Sequence, residues 1–394
     1  MPDPGFMIPL NIRDFEYWNG YGGLSRNICS SAYQQTITQA SWWTCENIQL
    51  TTGGMVASSA VVGTPYVIQV GIEGLPALNG STTPAAIQNV EAWVCYPNTV
   101  AGGASATLVV PSMQGSKFAS FSNTTASAPV VFNDPDDYQD PAEGGFQWIN
   151  LSPWTPIEED FLEEVAPGGP GHCCIIANAA GQASLLDVSE PNSGEPVGVV
   201  ITDNSQLAAE IDVCTSLYQG QRNIMIVSAP TGQIVRGGNR IKAGLAFLSG
   251  APEQTTHLRT TITVTAIDQG GQLDPVLIKA LSVPPYAGLP LKPAASPPKS
   301  LSLAKHESKP HSWLAKIIHE AEEVVEELLG LKEHPFGGGH RLHLSLPPRG
   351  LQPLRMAVEP DPNDPPGTVH AIEITQTDAN GARGGIRVAV VVTP

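Results

Sequence analysis

Charge is scarce in this chain. Of 394 residues only 14% are Asp, Glu, Lys or Arg, too few for long solvated helices to make up most of it. Basic residues are the scarcer kind, 20 Lys and Arg against 37 Asp and Glu, for a formal net charge of −17. That balance argues against a surface that tracks nucleic-acid phosphates, which needs a basic patch. It favours proteins, carbohydrates or cations as partners, and it keeps an abundant protein soluble by self-repulsion. Apolar runs are short: none reaches the about 18 residues of a membrane span. The opening MPDPGFMIPLNIRDFEYW lacks the basic n-region and apolar core of a signal peptide. The expectation is synthesis in the cytosol, then incorporation into a particle or export by a non-classical route.

Cysteine is sparse too. Six residues (Cys29, Cys45, Cys95, Cys173, Cys174 and Cys214) do not make a disulfide scaffold in a chain this long, and no C-x-x-C or H-x-x-x-H spacing supports a zinc site. Two of them adjoin behind His172 in GPGHCCIIANA, residues 169–179. Neighbours in a strand point to opposite faces, so Cys173 and Cys174 cannot share a metal without distorting the backbone, and a vicinal disulfide would be strained. The expectation is two buried thiols beside a structural His172.

Catalytic motifs are missing. There is no G-x-S-x-G, H-E-x-x-H, P-loop, or G-x-G-x-x-G ahead of a helix. The carboxylates Glu158, Glu159, Asp160, Glu163 and Glu164 in WTPIEEDFLEEVAP read as a hydrated loop with a short helical turn rather than an acid/base pair. No catalytic residue is assigned, and an enzyme is not expected.

Glycine (39) and proline (36) are plentiful, and short strands joined by turns suit that composition. From Trp42 onward strand-like runs recur: WWTCENIQL, PYVIQVGIEG, VEAWVCYP, ATLVVPS, FASFS, FQWINLSPWTP, GHCCIIANA and LYQGQRNIMIV. In VEAWVCY, Val90, Ala92, Val94 and Tyr96 share one face, a period of two. A second strand-rich block begins near residue 231 with RIKAGLAFLS, HLRTTITVTAI and LDPVLIKALSV, and resumes with HRLHLSLP, LRMAVEP, TVHAIEITQTD and GGIRVAVVV. The fold expected is all-β: an arm or cap over 1–40, a β-sandwich over 41–230, and a smaller sandwich over 231–394.

Residues 293–340 interrupt the second block. Pro/Ser/Lys-rich linker chemistry leads into HSWLAKIIHEAEEVVEELLG, and HPFGGGH follows. Leu314, Ile317, Ala321, Val324 and Leu328 follow 3-4-3-4 spacing, flanked by Ile318 and Val325, with glutamates on the opposite side. Ser312 can cap the start of this helix and Gly330 can end it. Its apolar face either lies on the protein's own sheets or binds a partner, which makes it the candidate partner-binding surface. The loop NDPDDYQDPAEGG offers Asp134, Asp136, Asp137 and Asp140 as oxygen ligands for Ca²⁺, although its spacing is not that of an EF-hand. No other cofactor is implied.

Several of these stretches together resemble bacterial Ig-like modules of the CARDB type, the cell-adhesion-related domains. Trp148, Trp154 and Pro156, then Gly171, His172 and Cys174, then Gln221, Arg222, Asn223 and Ile224 fit that outline over residues 40–230. Cys173 takes its variable position. The resemblance implies an Ig-like sandwich with packing roles for Trp148, Trp154, His172, Cys173 and Cys174. The C-terminal block is more loosely similar to small Ig-like modules at the ends of bacterial surface and secreted proteins. Such proteins usually carry signal peptides. The function expected is therefore non-enzymatic: protein–protein assembly, as a homo-oligomer or with a partner, in a bacterial or phage-like particle or surface structure. The alternative is a carbohydrate- or calcium-dependent binding module, with exposed aromatic rings stacking on sugars.

Overall fold

The computed structural model describes residues 6–8, 41–74, 86–100, 108–114, 119–122, 146–162, 170–182, 196–201, 206, 210–213, 216–230, 243–251, 257–267, 271–305, 334–335, 340–348, 350–379 and 381–394. Within them the chain is mostly strand, arranged in several sheets, with few helical turns.

Two sheets enclose the first core. One contains β1 (Phe6–Met7), β2 (Ile48–Thr52), β3 (Met55–Ala57), β5 (Tyr66–Gly74) and β8 (Phe146–Trp154), with β5 at its centre. The other contains β6 (Ala86–Cys95), β7 (Ala119–Ser122), β10 (Cys174–Gln182), β11 (Pro196–Val197) and β12 (Gln219–Arg222), with β10 paired to β6 on one edge and to β11 and β12 on the other. Alternation drives the pairing. Tyr66, Ile68, Val70 and Ile72 of β5 are all buried and share one face. A two-stranded ribbon, β4 (Ala60–Val61) with β9 (Pro170–Gly171), closes one side. Of the expected N-terminal arm, β1 adds to the edge of β5 and Ile8 is fully buried.

Two further sheets enclose the second core. The larger runs β13 (Ile224–Pro230), β22 (Gly381–Thr393), β21 (Thr368–Asp378), β15 (Leu258–Ile267), β19 (His340–Leu346), with β16 (Lys292–Pro293) also on β21. The smaller runs β14 (Ala243–Gly250), β20 (Leu351–Glu359), β17 (Ser300–Lys305), β18 (His334–Pro335). Phe247, Met356, Ile372, Ile374, Ile386 and Val388 are among the side chains that fill the space between them. The larger sheet is covered on its other face as well, where Val369, Ala371, Ala389 and Val391 meet Leu277, Leu281 and Tyr286. Burial on both faces explains why IRVAVVV is a continuous apolar run rather than an alternating one.

Five expectations change. LDPVLIKALSV is not a strand. A single helical turn, α1 (Pro111–Gln114), replaces the end of ATLVVPS, and the helix α2 (Pro275–Leu281) replaces LDPVLIK. Asp274 caps α2 through a 2.8 Å bond from Val276 N–H, and Pro275 sits in its first turn, where a missing N–H costs nothing. Residues 42–47 of WWTCENIQL form turns rather than a strand, held by Thr44 Oγ1 donating to the Ser41 carbonyl. Ser300–Lys305, expected inside the linker, is β17, with Leu301 buried and β20 beside it. The strand 224–230, expected to close the first sandwich, runs parallel to β22 in the second. Nothing in the sequence between β12 and β13 signals a break, because there is none: one residue, Asn223, separates a strand of one sandwich from a strand of the other.

Candidate functional site

The two cores meet through a buried polar joint, and Asn223 is its centre. Its side-chain amide donates to Asn98 O at 2.5 Å and to Gly385 O at 2.7 Å. Its backbone N–H donates to Trp43 O, and its carbonyl accepts from Arg387 N–H. Beside it, Asn98 and Leu248 form a parallel bridge, in which Thr99 N–H donates to Leu248 O and Leu248 N–H donates to Pro97 O. Gln376, fully buried, accepts from Thr99 Oγ1 and Ser249 Oγ and donates to Gly250 O at 2.9 Å. Several of these bonds cross between the sandwiches, and Asn98, Thr99, Asn223 and Gln376 are fully buried, where a group left unpaired is costly.

A charged cluster extends the joint. Arg387, 3% exposed, donates through Nε to Glu373 and through Nη1 to Asp274, and its Nη2 reaches Ser41 Oγ at 3.0 Å. Glu373 Oε1 also accepts from Ser41 Oγ and from Trp43 Nε1, each at 2.7 Å. Asp274 is the cap of α2, so the cluster ties that helix to both sandwiches. Farther along α2, Lys279 Nζ donates to Glu46 O and lies 5.5 Å from the ring centre of Trp148, a cation–π contact. Burial lowers the pKa of Lys279 and raises that of Glu46. Trp148, expected as a packing residue, is half-buried at this strap, edge-on to Phe146.

Close approach needs small residues on β22. A Cβ on Gly384 would lie 2.4 Å from Thr99 O, and one on Gly385 2.4 Å from the Trp43 ring and 2.6 Å from Ile374 O. Tandem glycines let the Trp43 turn seat against the strand.

The thiols lie in the first core. Cys174 and Cys95 are fully buried, and Cys173 is half-buried. Burial pushes the Cys173 thiol up to about 12 and also raises those of Cys95 and Cys174, the reverse of a reactive cysteine. Gln221 Nε2 donates to Cys174 Sγ at 3.3 Å. His172 Nδ1 is buried without a partner, and burial lowers its pKa to about 4.

Asp160 departs from the expected hydrated loop. The 3-10 turn Glu158–Asp160 buries its carboxylate completely, where it accepts from Ser112 N–H, from Ile157 N–H and from Ser112 Oγ at 2.5 Å. Trp154 Nε1 donates to the same hydroxyl at 2.9 Å. Ser112 is thus held on both sides in a set that contains no histidine, an arrangement that braces a turn. On the outer face of the second sheet, Glu91, Asn178 and Gln219 align across β6, β10 and β12. They peg an overlying segment through Ile201 N–H, Val199 O, Glu210 O and Asp212 N–H. Burial raises the pKa of Glu91.

The helix-face residues Leu314 to Leu328 and the acidic residues Asp134, Asp136, Asp137 and Asp140 lie outside the described residues. Among the described residues no group of three or more His, Cys, Asp or Glu could hold a metal ion, and no helix is long and apolar enough to cross a membrane. The joint itself was not foreseen. The signals that bear on it are a buried-type Asn between two strands and the Gly384-Gly385 pair, and both are meaningful only once the pairing is known.

No family model matches this chain, and no curated protein matches it. Among solved structures, it aligns with the CupB6 tip adhesin from Pseudomonas aeruginosa at 10% identity and a TM-score of 0.21, over 88% of this chain and 96% of that one. It aligns with the collagen adhesin of S. aureus at 8% identity and 0.19, over 88% and 93%. Red sea bream transglutaminase aligns at 10% identity and 0.18, over 92% of this chain but 33% of its own length, so the chain spans about a third of that protein. At such scores the superpositions assign no function.

Proposed function

We propose that this is a non-enzymatic interaction protein, which presents binding surfaces from two Ig-like β-sandwiches held at a fixed angle. The observation that carries the reading is the joint. Asn223, Gln376 and the Arg387 cluster bond the sandwiches through buried polar groups, which suits a scaffold that must place distant surfaces in register and bear load. The polar sets at Ser112 and Glu91 bond to backbone and brace turns, which is a structural use of such groups. The resemblance to CARDB-type modules fits this reading, as does a place in a bacterial or phage-like particle or surface structure.

The contact we assign to partner binding is the apolar stripe Leu314, Ile317, Ile318, Ala321, Val324, Val325 and Leu328. Its occupant is another copy or another protein. The test is solution mass by light scattering for the full chain beside a variant in which residues 306–333 are replaced by a Gly/Ser linker, which leaves β17 and β18 intact. An assembled full chain and a monomeric variant support self-assembly through this segment. Two folded monomers overturn it and direct the search to the carbohydrate- or calcium-dependent alternative, for which retention on polysaccharide and a chelator-sensitive melting temperature are the readouts.

A further inference from the structure

We propose that the outer face of β15 and β19 is a binding surface for an acidic polysaccharide, one that carries sulfate or uronate groups. The inference rests on the reading of the chain as an interaction protein and gives one of its faces a ligand class. In the β15–β19 ladder Thr263 stands opposite Arg341, Thr261 opposite His343, and Arg259 opposite Ser345. These residues alternate with the buried Leu258, Thr260, Ile262, Leu344 and Leu346, so they share the face turned away from the second core. Each successive rung carries one basic side chain, Arg341, then His343, then Arg259, about 7 Å apart along the strands. β21 widens the face with Thr375 and Thr377, opposite Thr263 and Thr261. The α2 cover sits farther along the sheet, on Ile267, Ala371 and Val369, and Arg259, Arg341, His343 and Ser345 are exposed.

Positive charge is unbalanced on this face, although the chain as a whole is acidic. β15 and β19 contain no Asp or Glu. The two carboxylates of β21 are occupied, Glu373 by Arg387, Ser41 and Trp43, and Asp378 by Arg383. His343 Nδ1 lies 3.0 Å from Thr261 Oγ1, whereas neither Arg259 nor Arg341 has a side-chain hydrogen bond or ion pair among the described residues. Charge on an edge strand discourages edge-to-edge pairing, which covers Arg341 and His343 of β19. It does not account for Arg259, because β15 is paired on both sides. The chemistry of the face selects the ligand. An arginine fork matches a sulfate or a carboxylate, and the flanking Thr and Ser hydroxyls both donate to and accept from sugar hydroxyls. β15, β19 and β21 contain no Phe, Tyr or Trp, and no exposed large apolar side chain among the described residues lies on them. A protein partner would find no anchor there, and a nucleic-acid strand no platform on which to stack its bases.

The experiment measures affinity of the full chain for immobilised heparin, a sulfated polysaccharide, and for polygalacturonate, a uronate one, with dextran as the neutral control. The buffer holds about 0.1 M salt, whose Debye length of about 10 Å screens the chain's distant negative charge but not direct contacts. Expected are binding to at least one of the charged polymers, none to dextran, and at least about tenfold weaker binding by Arg259→Gln/Arg341→Gln at an unchanged melting temperature. If that pair lowers the melting temperature, Arg341→Gln alone, on the edge strand, supplies the comparison. Lys299→Gln/Arg355→Gln removes the same charge from exposed positions elsewhere and is expected to keep the affinity within about twofold. Absence of binding by the wild-type chain overturns the proposal, as does an equal loss in both double variants. Tighter binding to poly-glutamate or to duplex DNA than to either polysaccharide overturns it as well. The variant with residues 306–333 replaced is expected to bind as the full chain does, so failure of self-assembly through that segment leaves this result standing. Loss of binding in that variant would move the site off this face.

Discussion

Trp43 and Glu373 belong to different sandwiches, and the indole N–H of the first donates to the carboxylate of the second at 2.7 Å. Glu373 also holds Ser41 and Arg387. Replacing Glu373 by Ala leaves the indole and the Ser41 hydroxyl without their acceptor and Arg387 with one carboxylate in place of two. Breaking a buried charged set of this kind costs about 3–5 kcal/mol. Because the set spans the joint, the wild-type chain is expected to melt in one calorimetric transition and Glu373→Ala in two. A single transition shifted downward would mean that the other bonds of the joint suffice for coupling.

Asn223 offers a sharper comparison. Its amide donates to two backbone carbonyls, so Asn223→Asp keeps the shape but replaces the donors with a carboxylate facing two oxygens. The variant is expected to lose more stability than Asn223→Ala, which removes both bonds but adds no buried charge, by about 1–3 kcal/mol over the Ala cost. Urea titration at neutral pH ranks the two, and the reverse order would show that water reaches the joint.

At Gly385 the obstruction is steric. An added methyl would meet Ile374 O at 2.6 Å and the buried Trp43 ring, and a strand carbonyl within a ladder cannot move aside. Gly385→Ala is expected to destabilise by about 1–3 kcal/mol, whereas the same change at Gly271, where nothing lies within 4 Å, leaves the midpoint within about 0.5 kcal/mol.

The strands were the legible part of the sequence. HLRTTITVTAI and TVHAIEITQTD alternate as half-buried strands should, and β15 and β21 occupy them. LDPVLIKALSV misled because a short apolar run does not distinguish strand from helix. The decisive signal was the Asp274-Pro275 cap. The joint was illegible because its members lie up to 346 residues apart and each is an ordinary polar residue by itself. The basic rungs of β15 and β19 were hidden for the same reason, since register between distant strands is set by the tertiary fold.

Glu91 sets one pH trend. Its folded pKa is raised by burial, so its contribution is full below the unfolded value near 4.5 and is lost as pH rises through the folded value. The stability of Glu91→Gln relative to wild type is therefore expected to improve as pH rises above about 4.5 and to level off once the folded carboxyl has ionised. Denaturant titrations across that window give the difference at each pH, and a flat difference would show that the Asn89 and Asn178 amides hold the carboxylate at its ordinary pKa.

His172 acts in the opposite sense. Its ring is half-buried with Nδ1 out of solvent, and desolvation lowers its pKa from 6.5 to about 4, while the unfolded chain takes up the proton at the ordinary value. The folded state therefore keeps its full advantage above pH 6.5 and loses it progressively as pH falls toward 4, by up to about 3 kcal/mol. Replacing His172 by Gln substitutes a non-titrating amide of similar reach for the imidazole, so the variant is expected to show a flatter stability profile across that window even if its stability at pH 8 is lower. Imidazole proton shifts in the folded wild-type chain provide the direct check: a midpoint near 6.5 would place the ring in water, and would remove both the acid sensitivity and the packing role assigned to this residue.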